Sequence, residues 1–144
     1  HDIDLEELLD GLKTIVDKFG SKVVQYAVEL SQELVNQFFK MIKKEDDNNG
    51  ELYCAAEGVI KILENIFSVI SKNKNSNTNH SDIINNIENI ISPLLDFTLS
   101  GEGFEFLDNG LDLLKEVIEC MHSNNGPNVP LSNILWKYFT LINY

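Results

Sequence analysis

Apolar residues recur at three- and four-residue spacing along nearly the whole chain, with Asp, Glu, Asn and Lys between them. This spacing places the apolar side chains on one face of an α-helix. Strand-like alternation is absent from the pattern. It therefore predicts an all-α protein with six helices, at about 3–19, 22–43, 52–71, 81–99, 104–121 and 131–143.

Residues typical of helix ends separate these segments. Gly20 can end the first helix, while Ser21 and Ser81 can cap the second and fourth. Pro93 lies inside the fourth helix and predicts a kink there. The third helix is so apolar that we expect it to be sandwiched between neighbours.

The spacing of the helices favours an open stack over a closed bundle. Grouped in order, they form pairs of roughly 40 to 50 residues, the size of a HEAT or armadillo unit. We therefore predict one α-solenoid segment of about three HEAT helix pairs, that is, six antiparallel helices. A bundle around one core remains the alternative. The predicted pairs span about 2–43, 51–100 and 103–144, with mobile loops at 43–51 and 72–81.

The first long loop, "KKEDDNNGELY", resembles a calcium loop at first sight. Counting from Glu45 places Asp47, Asn49 and Gly50 at loop positions 3, 5 and 6 of the EF-hand pattern. Position 12, which should be a bidentate Glu, is Ala56. We therefore interpret the loop as a connection between repeats and expect no calcium binding at micromolar ion.

Charge narrows the class of partner. The chain of 144 residues has 11 Lys plus Arg against 23 Asp plus Glu, a formal net charge of −12. Phosphate backbones and anionic lipid are disfavoured by this charge, so we expect no nucleic-acid and no membrane partner, and basic proteins are favoured. No apolar run approaches the roughly 20 residues that span a bilayer, and the first residues lack the basic and apolar pattern of a signal peptide, so we expect none here. The chain starts without Met and in mid-pattern, which predicts a piece of a longer intracellular protein.

The sequence offers no constellation for catalysis. His1, His80 and His122 lie at a terminus and in two breaks, away from other ligand-type residues. Cys54 and Cys120 lack metal or redox spacing and are expected to be buried thiols. No phosphate-binding glycine motif occurs. We therefore expect a protein that is not an enzyme and holds no cofactor or metal.

Four segments together resemble one family, the importin-beta superfamily of nuclear transport receptors (karyopherins). The resemblance is to the HEAT repeats of the C-terminal half, in the branch that includes importins seven and eight. It covers about residues 5–144, in the order helix, acidic insert, helix, "EF" helix start and "LW" helix start. The segments are "VVQYAVELSQELVNQFFKMI", "AAEGVIKILENIFSVI", "GFEFLDNGLDLLKEVI" and "PLSNILWKYFTLI". The sequence departs from the family pattern in two places. Tyr26 stands where a Pro often starts the second helix, and residues 72–81 form an Asn-rich insertion.

This resemblance implies a segment of a receptor that recognises protein cargo for Ran-dependent nuclear import. The cargo would be basic, such as ribosomal proteins or histones, and would contact the second helices of the pairs, here about 22–43, 81–99 and 131–143. The full-length protein would bind Ran and nucleoporins and would move between cytoplasm and nucleus. An alternative is a HEAT-like scaffold or regulatory adaptor subunit of an intracellular complex.

Two sets of residues are the candidates for function. The acidic loop residues Glu45, Asp46 and Asp47 could contact basic cargo, because a loop can reach toward a partner. The other set would pack one repeat against the next, with Trp136 on an apolar stripe that a following repeat would cover. This packing set is Phe38, Ala55, Phe106 and Trp136.

Overall fold

The computed structural model describes residues 5–18, 20–44, 50–73, 80–125 and 133–142. Within these ranges the chain forms six α-helices and one 3-10 turn, with no strand. The helices are α1 Leu5–Lys18, α2 Gly20–Lys43, α3 Gly50–Lys72, α4 His80–Leu99, α5 Leu107–Asn125 and α6 Asn133–Ile142, and the 3-10 turn is Phe104–Phe106. The all-α prediction is confirmed.

The helices pack in two layers. In one layer α3 lies between α1 and α5, and in the other α4 lies between α2 and α6. The layers are joined where α2 packs on α3 and where α4 packs on α5. Odd and even helices therefore follow one another in two parallel rows, which is a solenoid-like arrangement.

The most extensive packing lies between successive predicted pairs and not within them. Within the described residues, α2 packs more extensively on α3 than on α1, and α4 packs more extensively on α5 than on α3. These contacts cross the boundaries placed near residues 43–51 and 100–103. The difference arises because apolar spacing identifies a buried face but not the helix that covers it.

The third helix forms the centre of the core, as its composition predicts. It contacts α1, α2 and α5, and its buried residues lie on more than one face, which requires neighbours on several sides. They are Ala55, Ala56, Val59, Ile60, Ile62, Leu63, Ile66, Phe67 and Ile70. Cys120 is buried as expected, whereas Cys54 is exposed. At this turn of α3 the residues that face the core are Ala55 and Ala56.

A tight turn connects α4 to α5. Gly101 has a φ of 91°, a left-handed conformation that glycine adopts without steric cost just after a helix end. The backbone N–H of Gly103 then donates to the carbonyl of Phe97 at 3.0 Å. A side chain at Gly103 would also collide with the Phe97 ring. The turn therefore fixes Glu102 beside the C-terminal end of α4.

Candidate interaction surface

Six carboxylates lie along the packed pair α3 and α5 and form what we call the acidic face. Asp108, Asp112 and Glu116 recur at every fourth residue of α5, so they share one side of that helix. Glu57 and Glu64 are two turns apart on α3, and Glu105 precedes α5. Lys61, which lies between Glu57 and Glu64 on α3, carries a positive charge. The members of the acidic face are Glu57, Glu64, Glu105, Asp108, Asp112 and Glu116.

The pKa of Glu64 on α3 responds to two carboxylates of α5. Partial burial, together with the nearby carboxylates of Asp112 and Glu116, raises the pKa of Glu64 to about 7, while Lys61 opposes the shift. Burial also raises the pKa of Tyr53, with additional contributions from the neighbouring carboxylates, first among them Glu57 and Glu105. Both ends of the acidic face therefore concentrate negative charge.

Among the described residues, positive charge neutralises the acidic face only in part, through Lys61. In the described ranges the salt bridges join Lys115 to Glu119 at 3.9 Å and Lys137 to Asp96 at 2.7 Å. Neither includes a carboxylate of the acidic face. Such a surface attracts cations and basic proteins over distances of about the Debye length, roughly 8 Å at physiological salt.

The raised pKa of Glu64 predicts a pH-dependent stability. Its folded pKa, about 7, lies above the ordinary value of 4.5, so between these values the folded state binds more protons and its contribution to stability falls as the pH rises. Above pH 7, Glu64→Gln is expected to be more stable than the parent by about 1 kcal/mol, a value discounted for solvent screening of a partly exposed group. At pH 4.5 the two should be nearly equal.

Urea unfolding of Glu64→Gln and the parent at pH 4.5, 6 and 8 measures this effect. Glu29→Gln is the matched control, because Glu29 is exposed on α2 and outside the acidic face. A constant difference between Glu64→Gln and the parent across the pH range would contradict the prediction.

The predicted acidic loop lies outside the described residues. Glu45, Asp46 and Asp47 fall between α2 and α3 in the range 45–49, so their contact with cargo stays a prediction. Ala56, which replaces the last calcium ligand in the loop count, is fully buried in α3. Its position on the core side of a helix accounts for the small residue there.

Three of the predicted packing residues are buried. Phe38 of α2 and Phe106 of the 3-10 turn are in edge-to-face contact, with ring centroids 5.3 Å apart. Tyr53 stacks on the other side of Phe106 at 4.7 Å and donates its hydroxyl to the Glu105 carbonyl at 2.6 Å. Ala55 is buried in α3. Whether these contacts join two repeats of a longer solenoid stays a prediction.

Trp136 is not part of the core of this chain. Its side chain is 55% exposed, whereas Leu135 and Tyr138 are buried. The stripe that contains Leu135 and Tyr138, three residues apart, is the one that packs on α4. The stripe that carries Trp136 is one that a following repeat is expected to cover, so its exposure within this chain does not contradict that prediction. Its packing against a following repeat is untested.

The buried tyrosine belongs to a polar network that sequence reasoning missed. The Tyr138 hydroxyl donates to Oδ1 of Asp96 at 2.9 Å and lies 2.9 Å from the Ser92 carbonyl. Burial raises the pKa of Tyr138 to about 12. Lys137 donates to the same Asp96 oxygen at 2.7 Å. The network joins α6 to α4, and in the sequence only the aromatic residues in the middle of α6 point to it.

Two further properties concern the described residues. None of their helices is long and apolar enough to cross a membrane. In the same part of the chain, no group of three or more His, Cys, Asp and Glu side chains is placed to hold a metal ion.

Fold and surface together define an all-α, solenoid-like protein with an acidic face. The chain is 23% identical, over 138 residues, to a protein of Dictyostelium discoideum described as a probable importin-7 homolog. The match covers 95% of this chain and 12% of that protein, so the chain spans about an eighth of its relative's length. No family model and no solved structure matches the chain.

Proposed function

We propose that the chain is a segment of a nuclear transport receptor that recognises basic protein cargo for Ran-dependent import. The observation that carries the proposal is the similarity to the probable importin-7 homolog, which extends over 95% of the chain. The two-row packing of the helices supports it, because such rows build extended surfaces for binding proteins. The segment would act by binding, without catalysis, in cytoplasm and nucleus.

The acidic face is the surface we assign to the cargo. The resemblance assigns cargo to the second helices, among them α2 and α4. The exposed side of α2 carries both signs of charge, from Glu29 and Glu33 as well as Lys40 and Lys43, and α4 exposes several asparagines. The concentration of negative charge on α3 and α5 makes the acidic face the better match for a basic protein.

Reversing charge on the acidic face is expected to weaken binding of a basic protein. For Asp112→Lys combined with Glu116→Lys, we expect the affinity for a purified histone to fall about tenfold at physiological salt, because two attractive contacts become repulsive. Asp112 is exposed and Glu116 is half-exposed on α5, so the fold should tolerate the changes. Isothermal titration at several salt concentrations measures the affinity.

The matched control is Glu29→Lys combined with Glu33→Lys on α2. It changes the net charge by the same amount at exposed positions away from the acidic face. An equal loss of affinity in both double variants would show that net charge alone controls binding and would remove the role of the acidic face.

Transport itself is tested on the full-length protein that contains this segment. Pull-down with Ran held in the GTP state is expected to retain the receptor and to release histone bound to it. Nucleoporins are expected to bind the same full-length protein. Failure to bind Ran would contradict the transport role and would favour a scaffold or adaptor subunit.

A further inference from the structure

The hydrogen bonds beside the acidic face fix how α3 and α5 lie against each other. Near the start of α3, the Tyr53 hydroxyl donates to the backbone carbonyl of Glu105 at 2.6 Å. Near its end, the hydroxyl oxygens of Ser71 and Ser123 lie 2.7 Å apart. Both contacts join residues that are 52 positions apart in the sequence. The two helices therefore run parallel, with the same register at both ends.

This register places two carboxylates of the acidic face opposite each other. Glu64 lies seven residues before Ser71, and Glu116 lies seven residues before Ser123. Seven residues are about two turns of an α-helix, so each carboxylate lies on the side of its helix that carries the contacting serine. Glu64 and Glu116 are therefore level with each other where α3 meets α5, and Asp112 is one turn earlier on α5.

The surroundings of this pair favour a bound proton near neutral pH. Glu64 and Glu116 are both half-buried, and two carboxylates that share a poorly solvated site do not easily ionise together. Burial, together with Asp112 and Glu116, raises the pKa of Glu64 to about 7, and Lys61 on α3 itself opposes the shift. No described charge of α1 or α2, which also pack on α3, contributes to this shift. At pH 7 the pair therefore holds a proton in about half of the molecules.

We propose that a cation of the basic partner enters between Glu64 and Glu116 and displaces the proton that they share, so that recognition at the acidic face is coupled to proton release. The displaced proton passes to the buffer, and both carboxylates are then ionised beside the bound Lys or Arg. No other bond is formed or broken. The inference rests on the proposed function, because it concerns how the same surface binds a basic protein.

Proton release gives the affinity a pH dependence of one sign. The proton and the cation compete for the same pair, so the affinity should rise as the pH rises. With a pKa of about 7 for Glu64, displacement of one proton predicts an affinity about tenfold higher at pH 8 than at pH 6. Above pH 8 the pair is ionised before the partner binds, and little further change is expected.

The probe is a blocked peptide of six arginines, because arginine does not titrate in this pH range. Isothermal titration into the protein at pH 6, 7 and 8, at constant salt, measures the affinity. At pH 7 the titration is repeated in phosphate and in Tris, two buffers that differ in ionisation enthalpy. The difference in heat reports the protons released, for which we expect about half a proton per bound peptide.

Variants of the protein separate Glu64 from other titrating groups. Glu64→Gln should bind the peptide at pH 6 and pH 8 with affinities within about twofold of each other, and without proton release, because the amide stays neutral. Glu29→Gln makes the same change of charge at an exposed position of α2 and should keep the tenfold rise. His122→Gln should also keep it. Histidine usually changes charge in this pH range, and His122 is exposed near the end of α5.

Three outcomes would overturn the inference. Equal affinity of the parent at pH 6 and pH 8 would remove the proton linkage and leave the acidic face as a binding surface. A rise with pH that persists in Glu64→Gln would assign the released proton to another group. Absence of peptide binding at every pH, together with absence of histone binding, would remove the cargo role of the acidic face as well. The failure of this inference and the failure of the proposed function are therefore distinguishable.

Discussion

Replacing Phe38 with Ala is expected to lower the free energy of unfolding by about 3–5 kcal/mol, as truncation of a buried Phe does. The Phe38 ring is fully buried and makes edge-to-face contacts with Phe39, Phe97 and Phe106 at centroid distances of 5.4, 5.9 and 5.3 Å. These rings come from α2, α4 and the 3-10 turn. Truncation would leave a cavity where the three elements meet, which close-packed neighbours can fill only in part.

Urea unfolding followed by far-ultraviolet circular dichroism measures the loss. Phe38→Leu separates the effect of the cavity from that of the ring contacts. Leu removes the ring contacts but fills more of the space than Ala, so this variant should lose only about 1–2 kcal/mol. Phe104→Ala is the exposed control, since Phe104 is 71% exposed, and it should change stability by no more than about 0.5 kcal/mol. Equal midpoints for Phe38→Ala and the parent would contradict the packing described here.

The six helices could be predicted from the sequence because each has a continuous apolar stripe. Their ends are also predictable where a residue imposes them. The turn at Gly101 is one example, and the predicted connection at 100–103 coincides with it. The start of α5 depends less on single residues, and α5 begins at Leu107 after a 3-10 turn, three residues later than expected.

The acidic face could not be assembled from the sequence. Asp112 and Glu116 are visible as neighbours on one helix, and Glu64 is visible on another. Their proximity depends on α3 packing on α5, two helices further along the chain. Apolar spacing identifies the buried side of each helix but not its partner, so the sequence does not bring these three carboxylates together.

The α6 helix shows the same limit at the level of side-chain direction. Trp136, Lys137 and Tyr138 are consecutive, and a short apolar helix leaves open which of its residues faces the core. The structure selects Tyr138, because its hydroxyl reaches Asp96 and Ser92 on α4. A buried tyrosine needs such partners, and these partners lie more than 40 positions earlier in the chain.

Replacing Gly110 with Ala is expected to destabilise the protein by about 1–3 kcal/mol, although Ala is the better helix former. Gly110 lies on α5 where that helix crosses α4. A Cβ atom there would overlap the hydroxyl of Thr98 and lie 2.8 Å from the Thr98 Cβ. Thr98 is buried on α4, so relief requires a shift of one helix against the other.

Gly11→Ala is the matched control and should have the opposite sign. Gly11 lies inside α1, and an added Cβ would meet nothing within 4 Å. Removing the backbone freedom of glycine should therefore stabilise this variant by about 0.5–1 kcal/mol. Thermal unfolding of the two single variants beside the parent measures both signs. Destabilisation by both would point to glycine effects unrelated to packing.

Thr98→Ala provides the coupling test for the same contact. Combined with Gly110→Ala, it removes the hydroxyl overlap but keeps the Cβ that would lie 2.8 Å away. The double variant should therefore recover part of the lost stability and not all of it, a non-additivity typical of residues in contact. Full additivity would contradict the close approach of α4 and α5. That approach matters for the proposed binding of basic proteins, because the packing of α5 on α4 fixes the position of the acidic face.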